Sequence, residues 1–484
     1  MIESIQRIID LLGPTILVPV VVFILALFLR VETRKAFTGA LFMGLGLFSF
    51  NIILGSLVGG VAPLVELMVD TIGLKLPAID VGWPGAAVIV YANRIGMLYL
   101  PFGLGLNLLL FLTKWTDTFQ PTDIWNYYQF VFWAAIVEVV TGSLFLAIAC
   151  AAFLNLVILL IADWIAPSMQ EFYGYDGVTS TCFAPIQGAP FAVLVQWVFK
   201  KLGIDRIDLK PEKIRERFGF WGEPAFLGVV VGFLIAFFAL IKSLGSVETW
   251  ATILSTAILT GAIMVLYPSV SGLFVKGLIP ISQTLNARLR SGEIKRDNFN
   301  IGIDPAVFFG HESTLTSGLI LIPIVLLISL IPGNIVLPLA DLPAMPFMVI
   351  GMVIVMKGNI LTTVLGATLW FILGNLANSN IAPIFTQAAL AAGANIPAEA
   401  AMVTSWTIGM NPIAWVVYQA FAAPENIRIF TIILAVAVYL AIYVLFRKNR
   451  RKFYMAAGAS EEFLDNKGIA VEAKKAVKGE ALGQ

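Results

Sequence analysis

Long apolar runs recur from one end of this chain to the other, at Thr15–Leu29, Phe37–Val58, Ala225–Ile241, Ala251–Leu266, Leu315–Ile331, Met345–Met356 and Ile427–Phe446. Nothing else in the sequence constrains the fold as much, because lipid leaves a backbone only two ways to pair its polar groups: helices and closed barrels. The alternating pattern of a barrel is absent. The runs therefore predict an all-α polytopic membrane protein, with about eleven spans plus re-entrant or broken helices. Composition agrees: 59% of the 484 residues are hydrophobic, 13% are charged and mean hydropathy is +0.90, which leaves too little polar surface to coat a soluble globule. Arg30, Arg34 and Lys35 follow the first run where a cleavable signal would carry small residues, so no signal peptide is expected.

Charge orients the chain. Lys200–Gly219, Arg288–Arg296, Arg447–Lys452 and the Arg30–Lys35 turn hold clusters of Lys and Arg. The positive-inside rule places them in the cytoplasm, the N-terminus outside and the C-terminus inside. The formal net charge of +1 gives no reason to expect a nucleic-acid partner. The expected organisation is an interfacial helix over residues 1–14, a first membrane half over 15–199, a cytoplasmic basic loop over 200–222, a second membrane half over 223–454 and a cytoplasmic tail over 455–484. The tail lacks apolar periodicity and reads as frayed or disordered. Each half begins with long spans and is later interrupted by Gly, Pro and acid. That pattern, with no residue-level repeat beside it, is the signature of an internally repeated transporter.

The interruptions carry the chemistry, because irregular backbone at membrane depth survives only where protein buries it or water reaches it. In "GIDPAVFFGHE", Asp304 before Pro305 is a helix start, and the helix it opens is expected to carry Asp304, Phe308, His311, Glu312 and Leu315 on one face. An acid in mid-membrane costs about 2.5–3.5 kcal/mol on insertion scales, so Asp304 and Glu312 need a wet or paired setting. Capping alone would account for Asp304 but not for His311 and Glu312. "IDVGWPGAA" repeats the design, with Gly82, Pro84 and Gly85 permitting a turn beside Asp80 and Trp83. A carboxylate and an aromatic face are what a polyol site requires, although Trp83 as an interfacial anchor fits equally. Glu138 lies within an apolar run, where it either lines a site or pairs with Arg94 or a polar group of another helix, and Asp341 interrupts "LPLADLP". Gly302, Pro332, Gly333 and Asn334 complete the expected helix breaks.

Other chemistries find no support. One histidine builds no zinc-protease site, no phosphate loop has the required spacing, and no Ser or Cys nucleophile sits in a recognisable motif. Cys150 and Cys182 show no paired spacing. No catalytic residue, metal or cofactor is therefore expected.

"IIDLLGPT" (Ile8–Thr15), "DVGWPG" (Asp80–Gly85), "TDIWN" (Thr122–Asn126), "FGFWGEP" (Phe218–Pro224), "GIDPAVFFGH" (Gly302–His311), "IPGNIVLPLADL" (Ile331–Leu342) and "KGNILTTVLG" (Lys357–Gly366) together resemble the galactitol-type C component of bacterial phosphotransferase systems. The likeness runs in order to about Arg447. It implies a homodimeric elevator-type carrier with dimerising and core domains, working with separate A and B subunits that relay phosphoryl groups to the incoming sugar alcohol. It also implies substrate contacts at Asp80, Glu138, Thr181, Cys182, Asp304, His311 and Asp341, beside Trp83 and Glu312 read from the residues themselves. In such systems the phosphorylated His and Cys belong to the A and B subunits, so His311 is not expected to be phosphorylated. The chain departs from the family pattern in three places: "STCFAP" (Ser180–Pro185) replaces a Pro-His-Gly turn, Glu138 a histidine and Glu312 an uncharged residue. These exchanges leave galactitol as the first expectation and another pentitol, hexitol or sugar beside it. An ion-coupled or uniporting carrier, with Glu138, Asp304 and Glu312 binding protons or sodium, is the alternative.

Overall fold

The computed structural model describes residues 16, 18–24, 26–73, 76–120, 124–291, 298–394 and 401–469. Among these, six helices are long and apolar enough to cross a membrane: Thr33–Val61, Arg94–Leu112, Leu144–Tyr173, Val247–Ile281, Ile360–Ala391 and Glu425–Lys448. The count rises to seven if the bent pair Pro211–Trp221 and Pro224–Ala239, which turns by 78°, is taken as one span. The remaining apolar runs fold as shorter helices. Leu315–Ile331 becomes Glu312–Ile328, and Met345–Met356 breaks into Met345–Met348 and Ile350–Val355. The expected interfacial helix over residues 1–14 lies outside the described residues.

Two bodies of helix pack against each other. Thr33–Ile72, Pro224–Ala239 and Val247–Arg290 form one. Their contacts run through small residues, since only a missing side chain lets two helix backbones touch. A Cβ on Gly39 would stand 2.7 Å from the Gly277 carbonyl oxygen, and one on Gly277 would stand 2.8 Å from that of Gly39. The other body is built around Leu144–Tyr173 and Ile360–Ala391. The two meet in an aromatic cluster in which Phe50 lies 5.4 Å from Phe309 and 5.5 Å from Phe347, while Tyr267 lies 4.4 Å from Phe309.

Within the second body the interrupted segments find each other as strands. β1 (Ala78–Asp80) pairs in parallel with β5 (Val336–Leu337) and β6 (Met402–Thr404). β4 (Asn300–Ile303) pairs in parallel with β2 (Thr118–Phe119) and β3 (Val178–Ser180). Each sheet takes its central strand from one half of the chain and both flanking strands from the other. Most of these strands run directly into a short helix, so each supplies the backbone partners that a broken membrane helix cannot find in lipid. Gly302 is obligatory in β4, because a Cβ there would stand 2.5 Å from Thr181 Oγ1.

The basic loop and the described part of the tail, expected to be frayed or disordered, both carry helices. The basic segment forms a helix, Pro211–Phe218, and is held by Asn359 Nδ2 donating to the Ile207 carbonyl at 2.7 Å and by Ile360 N–H donating to that of Leu209 at 3.1 Å. The tail does not fray over residues 455–469. Helices Arg450–Ala456 and Glu461–Asn466 dock on the end of Leu144–Tyr173, where Trp164 Nε1 donates to the Phe453 carbonyl and Ser460 N–H to Glu171 Oε2 at 2.7 Å. Arg450 pairs with Asp117 at 2.8 Å and Lys467 with Asp176 at 2.7 Å. Behind this contact, buried Asp163 accepts from Thr116 Oγ1, Thr118 Oγ1 and Asp117 N–H, which fixes the segment whose Asp117 holds Arg450. The rest of the tail, 470–484, lies outside the described residues.

Candidate substrate site

Asp80 and Asp341 end two of the paired segments, and both are buried. Asp80 Oδ1 accepts from Gly82 N–H and Trp406 N–H, each at 2.9 Å, and its Oδ2 accepts from Asp341 N–H at 2.8 Å. Asp341 Oδ1 accepts from Trp83 N–H at 2.7 Å, and its Oδ2 accepts from Thr407 N–H and Thr407 Oγ1, both at 2.9 Å, and from Ser405 Oγ at 3.2 Å. Both carboxylates are thus consumed in tying together the starts of helices Gly82–Ala92 and Trp406–Gly409, where free N–H groups favour negative charge. The turn requires Gly82, whose φ is +72°. Asn334 does comparable work beside Gly333 (φ +90°): its Nδ2 donates to the Ser329 and Val336 carbonyls, both at 2.9 Å.

Asp304 stands differently. Its Oδ1 accepts from Ala306 N–H at 2.8 Å, the cap the sequence predicts, and its Oδ2 accepts from Asn126 Nδ2 at 3.3 Å. The carboxylate is half-buried and lines a cavity of about 730 Å³, open mouth included, between the two helical bodies. Leu47, Phe50 and Asn51 form one wall. Trp83, Asn126, Gln129, Cys182, Asp304 and Thr407 form the polar part of the other, with Tyr128, Pro185 and Phe347 around them. Among the described residues no Lys, Arg or His lines this cavity. Its polar set is one carboxylate, amides, the Thr407 and Tyr128 hydroxyls, a thiol and an indole, which suits a neutral ligand rich in hydroxyl groups.

Of the residues singled out from sequence, Trp83, Cys182 and Asp304 face the cavity together. Asp80 and Asp341 lie behind it as backbone ties, and Thr181 is buried against Gly302. The expectation that Asp304, His311 and Glu312 share one helix face is corrected. The helix after Pro305 spans only Ala306–Phe309, and the chain breaks at Gly310 before Glu312–Ile328 begins. His311 caps that second helix, its Nδ1 accepting from Ser313 N–H at 3.2 Å, with its ring 4.4 Å from Phe172 and 5.5 Å from Tyr173. Glu312 points to the basic segment and forms a two-pronged pair with Arg215 Nη1 at 2.9 and 2.8 Å. Glu138 occupies the last turn of Tyr128–Thr141, where its carbonyl accepts from Gly142 N–H at 2.7 Å, and its side chain is not among those lining the cavity. Arg94, its expected partner, is exposed.

Sequence reasoning overlooked Asn126, Gln129 and Thr407. A signal existed for the first two, since they are the polar positions of the otherwise aromatic stretch "NYYQFVFW" (Asn126–Trp133). Thr407 offered none, because its role depends on β6 pairing with β1.

Residues 7–399 match the family described as "PTS system sugar-specific permease component". The chain is 31% identical over 459 residues to the "PTS system galactitol-specific EIIC component" of Escherichia coli strain K12, an alignment covering 93% of this chain and 97% of that protein. It is 30% identical over 440 residues to the "Putative permease IIC component" of the same strain, covering 90% of this chain and 98% of the relative. With a polytopic helical body and a match of this extent, the chain belongs to the sugar-specific permease components of the phosphotransferase system.

Proposed function

We propose that the cavity beside Asp304 binds galactitol or a closely related sugar alcohol, and that the body carrying it moves against the three-helix body to deliver the substrate to the cytoplasm. As in its family, the chain is the transport subunit, and phosphoryl transfer is done by separate A and B components. One observation carries the substrate class: a carboxylate and amides line the cavity with no cation among its described residues. A polyol exchanges its water hydrogen bonds for these groups, whereas an anionic sugar acid meets an unneutralised carboxylate. Trp83, Cys182, Asp304, Asn126 and Thr407 are the proposed contacts.

The position of the cavity favours an elevator. Its walls come from two bodies joined by the basic segment Lys200–Gly222, which is pinned to one body at Ile207 and Leu209 and bends by 78° where it enters the other. The exchanged strands favour two repeated halves, since β1 between β5 and β6 matches β4 between β2 and β3 if the halves are interchanged. We further infer a homodimer in the cytoplasmic membrane, with the N-terminus outside and the basic segment available to the B component.

Isothermal titration of the purified protein against galactitol, other hexitols, pentitols, their parent sugars and ascorbate tests the site. A polyol should bind, and Asp304→Asn should weaken it by about 10- to 150-fold, the equivalent of one hydrogen bond to a charged group. Preference for ascorbate, or unchanged affinity in the variant, would sink the assignment.

A further inference from the structure

The polar groups of the cavity form an ordered chain with a single direction. Ala184 N–H, which can only donate, lies 2.8 Å from Gln129 Oε1 and so fixes which end of that amide is oxygen. Gln129 Nε2 is thereby turned toward Asn126 Oδ1 at 3.3 Å and Cys182 Sγ at 2.9 Å. Asn126, receiving on its oxygen, presents Nδ2 to Asp304 Oδ2 at 3.3 Å. Gln129 and Asn126 border the cavity but are only 2% and 7% exposed, so few water molecules compete for these bonds.

We propose that Gln129 is a positioning residue that acts through Asn126 to hold Asp304 as an ionised acceptor facing the substrate. The inference rests on the reading of this cavity as the polyol site. The relay supplies Asp304 with a neutral donor in place of a cation, which orients the carboxylate without cancelling its charge. The site then reads hydroxyl donors and disfavours any ligand that brings its own negative charge, including a phosphorylated polyol.

The test reverses the chain. In Gln129→Glu, measured at a pH high enough to ionise the introduced group, the Ala184 N–H keeps its acceptor, but the second oxygen of the carboxylate cannot donate. Asn126 must then turn its Nδ2 toward that carboxylate and its own oxygen toward Asp304, setting two acceptors face to face. Adding Asp304→Asn supplies a donor at that end and satisfies every member in the opposite direction. Thermal unfolding of the ligand-free proteins should show Gln129→Glu melting below wild type and the double variant recovering most of the loss. Polyol affinity should fall by about tenfold or more in Gln129→Glu and stay low in the double variant. The hydrogen-bonded route from Gln129 to Asp304 runs through Asn126, so the two ends should be non-additive in stability, and repeating the cycle in Asn126→Ala separates the relay, whose coupling is then lost, from through-space repulsion of the two carboxylates, which persists. Should Gln129→Glu fail to fold, Asn126→Asp with and without Asp304→Asn runs the same cycle one link along.

Additive stability in the cycle, or wild-type polyol affinity in Gln129→Glu, would overturn the relay while leaving the cavity as the site. If the wild-type protein binds no polyol, the site reading falls, and the ligand-free stability cycle still decides the relay.

Discussion

Replacing Asp341 by Asn separates a structural carboxylate from a substrate ligand. Four donors converge on it: Trp83 N–H, Thr407 N–H, Thr407 Oγ1 and Ser405 Oγ. The two hydroxyls can rotate and accept from an amide, but the two backbone N–H groups cannot. Wherever the asparagine places its NH₂, one of those N–H groups is therefore left unpaired in a buried site. The orphan costs about 1–3 kcal/mol, and the surviving bonds lose their charge assistance, at about 1 kcal/mol each. The sum is about 2–5 kcal/mol, large against the usual stability of a folded protein. Thermal unfolding of the detergent-purified protein without ligand should show a lower Tm for Asp341→Asn, and a lower one still for Asp341→Ala, which orphans both N–H groups. Affinity should fall as well, because the displaced backbone carries Trp83 and Thr407 into the cavity. A variant with wild-type Tm that no longer binds polyol would refute this reasoning and make Asp341 a direct ligand.

Glu138→His should leave the preference among polyols unchanged in competition binding, because Glu138 sits in the last turn of Tyr128–Thr141, away from the cavity; a shift toward galactitol would return it to the site. Glu312→Gln should alter polyol affinity by less than about twofold and stability by at most about 1 kcal/mol, since its pair with Arg215 is 31% exposed on both sides. A tenfold loss of binding would contradict that placement. Arg450→Gln leaves Asp117 and Asp163 without their cation, and the expected loss is about 3 kcal/mol in ligand-free unfolding; an unchanged Tm would show that the docked tail is not held by this pair.

The helix breaks were legible before the fold, and of the predicted contacts Trp83, Cys182 and Asp304 line the cavity. Asp80, Asp304 and Asp341 stand out because an acid beside Gly or Pro within apolar sequence has few physical explanations, and each of the three does anchor a paired segment. His311 and Glu312 misled because helical periodicity was carried through Gly310, where the chain breaks. Periodicity predicts a shared face only while the helix continues. The tail misled for a related reason. Its docking depends on Asp117 and Asp163, a burden placed elsewhere in the chain that the local composition of residues 455–469 does not reveal.

By itself the sequence determined the solvent and the places where helices fail. Hydropathy is a local sum, and a Pro or Gly breaks a helix wherever it stands, so both can be read residue by residue. Only the tertiary structure decided which broken ends meet. Trp83 N–H finds Asp341 across 258 positions, and Asn126 finds Asp304 across 178. Three-residue strands have too little pattern to choose a partner. Their choice follows from the packing of whole helices around them, and that packing turns one acid toward the cavity and two toward the backbone.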